Sequence, residues 1–290
     1  MPSVPEFTAM SADDVTYFTT GDGVQLAYRD SGGPGVPLVM LHGLGQSQRA
    51  FAGQFEVLRE HRRVVTLDFR GHGRSDVPGY GYRIARLAAD VSDLLSHLGI
   101  DRVDALGWSM GASVWWSHID LFGTSRIRRL VIVDEPVMIV QVPWLTAAEQ
   151  EDLGALWNVE TLVHILAGQL GAEPDPINVG SLRWSYTGDV DPAVLDLLVT
   201  EMRIASPHAV GTLLLDHSVQ NWSDVLPRID VPTLVIGAEG SHVTAHSQRS
   251  LAQAIPGAAV HIFPADVASS HFPFLQNPAA FDTVLEPFLH

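Results

Sequence analysis

The stretch Gly107-Trp108-Ser109-Met110-Gly111-Ala112 decides the fold of this chain. A strand that turns at once into a helix forces the residue at the turn into a strained backbone conformation, which is tolerated only between very small neighbours. Gly107 and Gly111 provide that room. Residues 102–106 before the turn are typical of a short buried strand, and residues 112–122 predict an apolar helix. The pattern therefore predicts a strand–turn–helix that exposes Ser109 as a candidate nucleophile.

Length and charge limit the kind of protein this chain can be. With 290 residues, of which 46% are hydrophobic, it can bury a large core, and we expect one compact catalytic unit with an insertion. The formal net charge of −16 argues against nucleic acid or an anionic membrane as partner, because binding to phosphates depends on clustered Lys and Arg. We expect a small-molecule substrate instead. The sequence neither indicates nor excludes a homo-oligomer.

Two residue types are missing, and their absence excludes several chemistries. All 17 basic residues are Arg, so a lysine Schiff base, pyridoxal phosphate chemistry and Walker-type phosphate binding are excluded. Cys is also absent, which excludes disulfides, a thiolate nucleophile and zinc–thiolate sites. We therefore expect no cofactor.

The first residues and the apolar runs of the sequence predict the location of the protein. Residues 1–14 contain neither a basic start nor an apolar stretch of signal-peptide length, and they predict a short tail. No apolar run approaches the roughly 20 residues of a membrane helix. The sequence predicts a soluble, cytoplasmic protein.

Strand and helix patterns alternate along most of the chain. Strand character occurs at residues 15–20, 24–30, 37–41, 63–67, 102–106, 129–133, 232–237 and 259–263. Helical patterns occur at residues 47–60, 83–98, 112–122, 245–255 and 278–289. The first two strands flank Gly21-Asp22-Gly23, which predicts an antiparallel hairpin. The alternation that follows predicts an α/β fold with a mostly parallel sheet covered by helices on both faces.

The alternation breaks between residues 135 and 224. That stretch contains helical patterns and several aromatic residues but no evident strand. We interpret residues 136–224 as a helical cap inserted into a core formed by residues 1–135 and 225–290.

Four motifs occur in a fixed order along the chain: His42-Gly43-Leu44-Gly45, the glycine-rich loop at residues 68–75, the turn around Ser109, and Ser270-His271-Phe272. Together they resemble the α/β-hydrolase family over about residues 15–290. The turn at residues 107–112, called the elbow below, and the helix after it are similar in sequence to those of cofactor-free haloperoxidases and related esterases. The resemblance implies an eight-stranded, mostly parallel sheet with an inserted cap.

The resemblance also implies roles for residues around the turn. His271 stands where the family places its base, in the loop between the last strand and the final helix. The backbone N–H groups of Leu44 and Met110 would hold the oxyanion. His42 is interpreted as stabilising its own turn, and the loop at 68–75, which lacks the form of a dinucleotide site, as fixing loop packing beneath the active site.

The carboxylate that orients the base is where this sequence departs from the family pattern. The usual Asp should fall near Gly240, and none is there. Asp134, at the end of the strand after the elbow helix, is the favoured candidate because some branches use that position. Glu135 and Glu239 remain alternatives, as does the absence of any such acid.

These residues predict a serine hydrolase that cleaves a carboxylic ester or lactone of a fairly apolar small molecule through an acyl-enzyme. The alternatives are a non-catalytic ligand-binding protein on the same fold, a cofactor-free haloperoxidase or perhydrolase, and a carbon–carbon hydrolase. Trp108 and Trp184 are assigned to substrate binding. His242 and His246 have the spacing of a helical metal pair, but no Glu stands between them and Ser241 predicts a helix cap, so no metal site is expected.

Overall fold

A computed structural model describes residues 15–171 and 191–290. The strands are β1 (Thr16–Thr19), β2 (Gln25–Asp30), β3 (Leu38–Leu41), β4 (Val64–Leu67), β5 (Val103–Trp108), β6 (Ile127–Val133), β7 (Thr233–Ala238) and β8 (Ala259–Phe263). They form one eight-stranded sheet in the order β1-β2-β4-β3-β5-β6-β7-β8. β1 and β2 pair antiparallel, as the hairpin motif predicts, and β2 also pairs antiparallel with β4. All pairings from β4 to β8 are parallel.

Helices cover both faces of this sheet. The helices of the described residues are α1 (Ala52–Leu58), α2 (Ile84–His97), α3 (Met110–Phe122), α4 (Ala147–Leu153), α5 (Val159–Leu170), α6 (Pro192–Ile204), α7 (Pro207–Ser218), α8 (Ala245–Ala254), α9 (Pro273–Gln276) and α10 (Pro278–Leu289). The predicted α/β architecture, an eight-stranded and mostly parallel sheet between helices, is confirmed.

The core is divided by the sheet into two layers. Side chains alternate along each strand, so Ala105 and Ile132 pack toward α2, α3 and α8, whereas Leu106 and Val131 pack toward α1 and α10. Both layers are apolar because a parallel sheet is buried on both faces. The strands therefore have continuous apolar sequences, and their ends are held at fixed positions.

Some element boundaries differ from those predicted. The predicted helix at 47–60 starts as a 3-10 turn, Gln48–Phe51, before α1. Strand β5 runs on to Trp108, and α3 begins at Met110 rather than at residue 112. The whole strand-to-helix transition is thus made at the single residue Ser109, which explains why the strand and the helix are both longer than the sequence pattern suggests.

Helices α4 to α7 follow β6 and precede β7, in the stretch predicted as a cap. Isolated bridges between Met138 and Asn221 and between Val140 and Trp157 are strand-like pairings that the sequence did not predict. The division into a core of 1–135 and 225–290 and a cap of 136–224 stays a prediction. Across residues 15–171 and 191–290, no helix is long and apolar enough to span a membrane.

Candidate active site

The candidate residues lie on loops that follow parallel strands at one edge of the sheet. Leu44 follows β3, Ser109 follows β5, Asp134 follows β6 and His271 follows β8. In open α/β sheets the carboxyl ends of the strands form the ligand-binding edge. The fold therefore gathers these residues, which are far apart in sequence, at one place.

Ser109 occupies a tight and strained turn. Its φ is 52° and its ψ is −132°, and its N–H donates to the carbonyl of Val133 at 2.9 Å. A Cβ on Gly107 would lie 2.4 Å from the nitrogen of Ala112, and one on Gly111 would lie 2.2 Å from the carbonyl oxygen of Leu41. Neither position can accept a side chain without displacing backbone. The glycines are required for the sharp turn that leaves Ser109 partly exposed.

Asp134 and His271 form a buried pair. Oδ2 of Asp134 lies 2.6 Å from Nδ1 of His271. A carboxylate accepts, so Nδ1 carries the hydrogen and Nε2 keeps its lone pair, the tautomer that a general base requires. Trp108 also fixes the loop that carries His271, because its Nε1–H donates to the carbonyl oxygen of His271 at 2.9 Å.

Burial sets the protonation of this pair. Removal from water lowers the pKa of His271 and raises the pKa of Asp134. The hydroxyl of Ser241 donates to Oδ2 of Asp134 at 2.5 Å and opposes the rise in the pKa of that carboxyl. A second imidazole, His242, packs against His271 with ring centroids 4.5 Å apart, and burial lowers the pKa of His242 to about 3. Both imidazoles are therefore neutral at pH 7.

Ser241 and His242 also belong to this site, although the sequence pattern did not predict them there. The prediction that Ser241 caps a helix is wrong, because Thr244 caps α8 and Ser241 instead contacts Asp134. The signal was present in the sequence, since residue 241 adjoins the place where the family pattern puts its acid.

The two backbone amides assigned to the oxyanion belong to residues near Ser109. Met110 is the first residue of α3, and the first N–H groups of a helix have no partner within it. Leu44 lies in the turn after β3, next to Gly43, where an added Cβ would approach the Cβ of Ser109 to 3.1 Å. A larger residue at position 43 would thus crowd the nucleophile, and the closeness of this turn is consistent with an oxyanion site.

A cavity of about 180 Å³ lies above these residues. Ser109 and His271 both line it, together with helices α5, α6 and α7. Most of its other walls are apolar and belong to Leu44, Trp108, Trp157, Ile165, Met202, Val210, Leu214 and Phe272, and its polar walls belong to Gln46, Gln169 and His242. Such a pocket suits an apolar small molecule. Trp108 reaches it but is only 1% exposed, so most of its ring packs against the core.

Glu135 has different partners from Asp134, although the two are adjacent in sequence. Its Oε1 accepts from the hydroxyl of Ser113 at 2.8 Å and lies 3.0 Å from Nε2 of His217 in α7. Glu135 is 1% exposed, and its charge raises the pKa of His271. It joins α3 to α7 and acts on His271 through space.

The remaining candidates lie elsewhere. Glu239 is exposed and accepts from the N–H of Ala265 at 3.2 Å. Trp184 lies outside the described residues. His246 pairs with the exposed Asp152 at 2.7 Å, and within the described ranges no group of three or more His, Asp or Glu side chains could hold a metal ion.

Comparisons with known proteins agree with the fold. A model of the α/β-hydrolase fold matches residues 36–167. A non-heme haloperoxidase from Rhodococcus erythropolis is 25% identical over 86% of this chain and 90% of that protein. An esterase from Exiguobacterium antarcticum superposes with a TM-score of 0.83 at 20% identity, covering 95% of this chain and 99% of that one. The enol-lactonase from Burkholderia xenovorans has a TM-score of 0.71 at 25% identity, with coverage of 94% and 99%.

The sheet order, the strained turn at Ser109 and these matches define the class of protein. The chain has the α/β-hydrolase fold. In sequence it is similar to a non-heme haloperoxidase, and in fold it is similar to an esterase.

Proposed function

We propose that this protein is a serine hydrolase that cleaves a carboxylic ester or lactone of a fairly apolar small molecule. The observation that carries the proposal is the 2.6 Å contact between Asp134 and His271, with His271 and Ser109 lining one cavity. Esterase and enol-lactonase neighbours support the reaction class.

The mechanism follows from the groups present. Ser109 Oγ attacks the carbonyl carbon while Nε2 of His271 takes its proton, and the developing oxyanion is held by the amides of Leu44 and Met110. The resulting imidazolium is stabilised by Asp134. His271 then gives the proton to the leaving alcohol, and water attacks the acyl-enzyme by the same route in reverse.

A fluorophosphonate probe tests the nucleophile. We expect the wild type to be labelled on Ser109, Ser109→Ala to be unlabelled, and Ser117→Ala, which changes a buried serine in the helix after Ser109, to be labelled normally. The wild type should also hydrolyse p-nitrophenyl butyrate. Absence of labelling and of hydrolysis would contradict the proposal and favour a ligand-binding protein on the same fold.

A second candidate reaction has support from a named relative. The haloperoxidase from Rhodococcus erythropolis suggests that peroxide could replace water. Hydrogen peroxide would then attack the acyl-enzyme, release Ser109 and form a peracid, which oxidises a halide outside the site. We expect bromination in acetate, peroxide and bromide to be much slower than ester hydrolysis, and to be lost in Ser109→Ala. If bromination is the faster reaction, perhydrolysis replaces hydrolysis as the proposed function.

A further inference from the structure

A buried histidine on the glycine-rich loop contacts the turn that carries the Leu44 amide. Nε2 of His72 lies 3.1 Å from the backbone nitrogen of Gly45, and the His72 side chain is 1% exposed. Gly45 follows Leu44 directly. The His72 side chain thus connects the loop at residues 68–75 to the turn that carries the Leu44 amide.

The partners of His72 determine its tautomer. Nδ1 lies 3.1 Å from the carbonyl oxygen of Arg70, which can only accept, so Nδ1 carries the hydrogen. Nε2 is therefore an acceptor, and the N–H of Gly45 donates to it. Burial lowers the pKa of His72 to about 4, which keeps the ring neutral and the acceptor available at pH 7.

His42 holds the other side of Leu44 in the same way. Its Nδ1 donates to the carbonyl oxygen of Gly43 at 2.7 Å, and its Nε2 accepts from the N–H of Phe69 at 3.1 Å. Because a peptide group is planar, the direction of the Gly43 carbonyl fixes the direction of the Leu44 N–H in the same plane. The peptide after Leu44 contains the Gly45 N–H. Both planes that flank Leu44 are thus anchored by an imidazole.

The support behind His72 is itself rigid. Arg70, whose carbonyl accepts from His72, is fully buried, and its guanidinium donates to both carboxylate oxygens of Asp90 at 2.7 and 2.8 Å. The next residue, Gly71, accepts from the N–H of Ser206 at the start of α7 at 2.8 Å. His72 is therefore an acceptor at a fixed position, held by both α2 and the segment before α7.

We propose that His72 is a positioning residue of the active site: it fixes the peptide plane between Leu44 and Gly45 and, with His42 holding the plane before Leu44, prevents a rotation at Leu44 that would turn its N–H away from the developing oxyanion. The proposal rests on the function proposed above. It gives the glycine-rich loop a part in catalysis without direct contact to the substrate.

The test compares two amide replacements of different length. Gln at position 72 can bring its carbonyl oxygen near the place of Nε2, whereas Asn can still donate to the Arg70 carbonyl but is too short to reach Gly45. His72→Leu removes both hydrogen bonds. His118→Leu is the matched control, because His118 is also a fully buried histidine but packs against Trp115 and Phe122 in α3.

Two inhibitors separate an oxyanion effect from general damage. Butylboronic acid adds Ser109 Oγ to boron, with its proton passing to His271, and places a negatively charged oxygen at the amides. Pentanamide has a similar shape but remains neutral. An inhibition constant does not depend on how much of a variant is folded, so a merely structural role of His72 would not change it.

We expect His72→Asn and His72→Leu to weaken boronate binding and to lower kcat/KM in parallel by about 10- to 100-fold, less than the loss of a whole oxyanion donor. Pentanamide binding should change by less than about threefold, and His72→Gln should stay within about threefold of wild type for both inhibitors. The control should match wild type.

Unchanged boronate binding in His72→Asn would overturn the proposal, as would equal weakening of both inhibitors. If His72→Gln is the only variant at this position that folds, its boronate affinity and kcat provide the test. Both should be close to those of the wild type, and a tenfold loss of both would contradict the role of His72 as an acceptor. Failure of the wild type to react with fluorophosphonate or to hydrolyse esters would reject the proposed function separately.

Discussion

Among the described residues, Ser109 and Asp134 are the non-glycine residues with positive φ, at 52° and 53°. Each such residue costs on the order of 1–3 kcal/mol and persists only where its surroundings hold it. Ser109 is held between two glycines, and the Asp134 N–H donates to the carbonyl of Ile236 on β7 at 2.8 Å. The strain coincides with the proposed nucleophile and acid, which supports their assignment independently of the resemblance.

Asp134→Asn should lower kcat/KM for ester hydrolysis by about 10³- to 10⁴-fold, because an amide at this position no longer favours the tautomer that leaves Nε2 of His271 unprotonated. Steady-state kinetics measures the change. Glu239→Gln is the matched control and should retain full activity, since Glu239 is exposed and contacts Ala265. An Asp134→Asn enzyme with nearly full activity would show that Asp134 is not the acid.

The position of Ser241 predicts a rescue of this loss. Its hydroxyl lies 2.5 Å from the same Asp134 oxygen that contacts His271, so a carboxylate at residue 241 would reach the imidazole from β7 instead of β6. We expect Asp134→Asn with Ser241→Asp to regain about tenfold or more of kcat/KM over Asp134→Asn alone. Asp134→Asn with Ser241→Ala should regain nothing. Equal activity of the two double variants would contradict the predicted reach.

Glu135→Gln should move the acid limb of the kcat/KM profile to lower pH. Asp134 and His242 contact the His271 ring directly, whereas Glu135 acts on it through space and raises its pKa. Removal of this negative charge lowers the pKa of His271, and kcat/KM against pH reports the pKa of the free enzyme's base. The exposed Glu239→Gln serves again as control. A limb that stays in place or moves to higher pH would contradict this electrostatic role.

At the scale of elements, the elbow is the contact between β5, α3 and β3. The sequence predicted the strand, the turn and the helix, but it ended the strand two residues too early and began the helix two residues too late. Propensity could not locate them better, because Gly107 and Gly111 are poor strand and helix residues when considered locally. Glycine is needed at these two positions because the backbone of another element lies close by: Leu41 of β3 approaches Gly111, and Ala112 of α3 approaches Gly107.

Gly111→Ala should destabilise the protein by about 3 kcal/mol or more, because overpacking against a fixed carbonyl displaces backbone. The Cβ would lie 2.2 Å from the Leu41 carbonyl oxygen. Urea unfolding measures the loss. Gly53→Ala in α1 is the control, since its Cβ meets nothing within 4 Å, and we expect a gain of about 0.5–1 kcal/mol there. Similar stabilities of the two variants would contradict the steric account.

At the scale of the whole molecule, polar side chains connect loops that the apolar core alone would not hold. The pair of Glu135 and His217 joins the core to α7, and the pair of Arg70 and Asp90 joins the glycine-rich loop to α2. Burial of an ion pair such as Arg70 with Asp90 gains little net stability, but loss of one partner is costly because the other charge stays unpaired. Such contacts therefore act on position more than on total stability.

Buried neutral histidines should make the protein less stable in acid. Burial lowers the pKa of His118 from 6.5 to about 4, so below pH 6.5 the unfolded chain takes up a proton that the folded protein does not. This residue therefore removes about 2 kcal/mol of the free energy of unfolding between pH 7 and pH 5. Between pH 7 and pH 5, the free energy of unfolding of His118→Leu should therefore fall by about 2 kcal/mol less than that of the wild type. Urea unfolding at both pH values measures this difference, and His246→Leu, which changes an exposed histidine, is the control. Parallel curves for wild type and His118→Leu would contradict the buried neutral state.

The sequence by itself determined the α/β fold, the alternation of elements and the turn at Ser109, because these depend on local periodicity and on glycines at set distances. It also narrowed the acid to carboxylates at two strand ends. Only the tertiary structure shows that Asp134 is the one of these carboxylates that contacts His271. The direction of the Asp134 side chain depends on one positive φ, held by a hydrogen bond from β7, and the partners of Glu135 and His72 come from elements far away in the chain. Contacts of this kind leave no periodic signal, so packing alone brings them together.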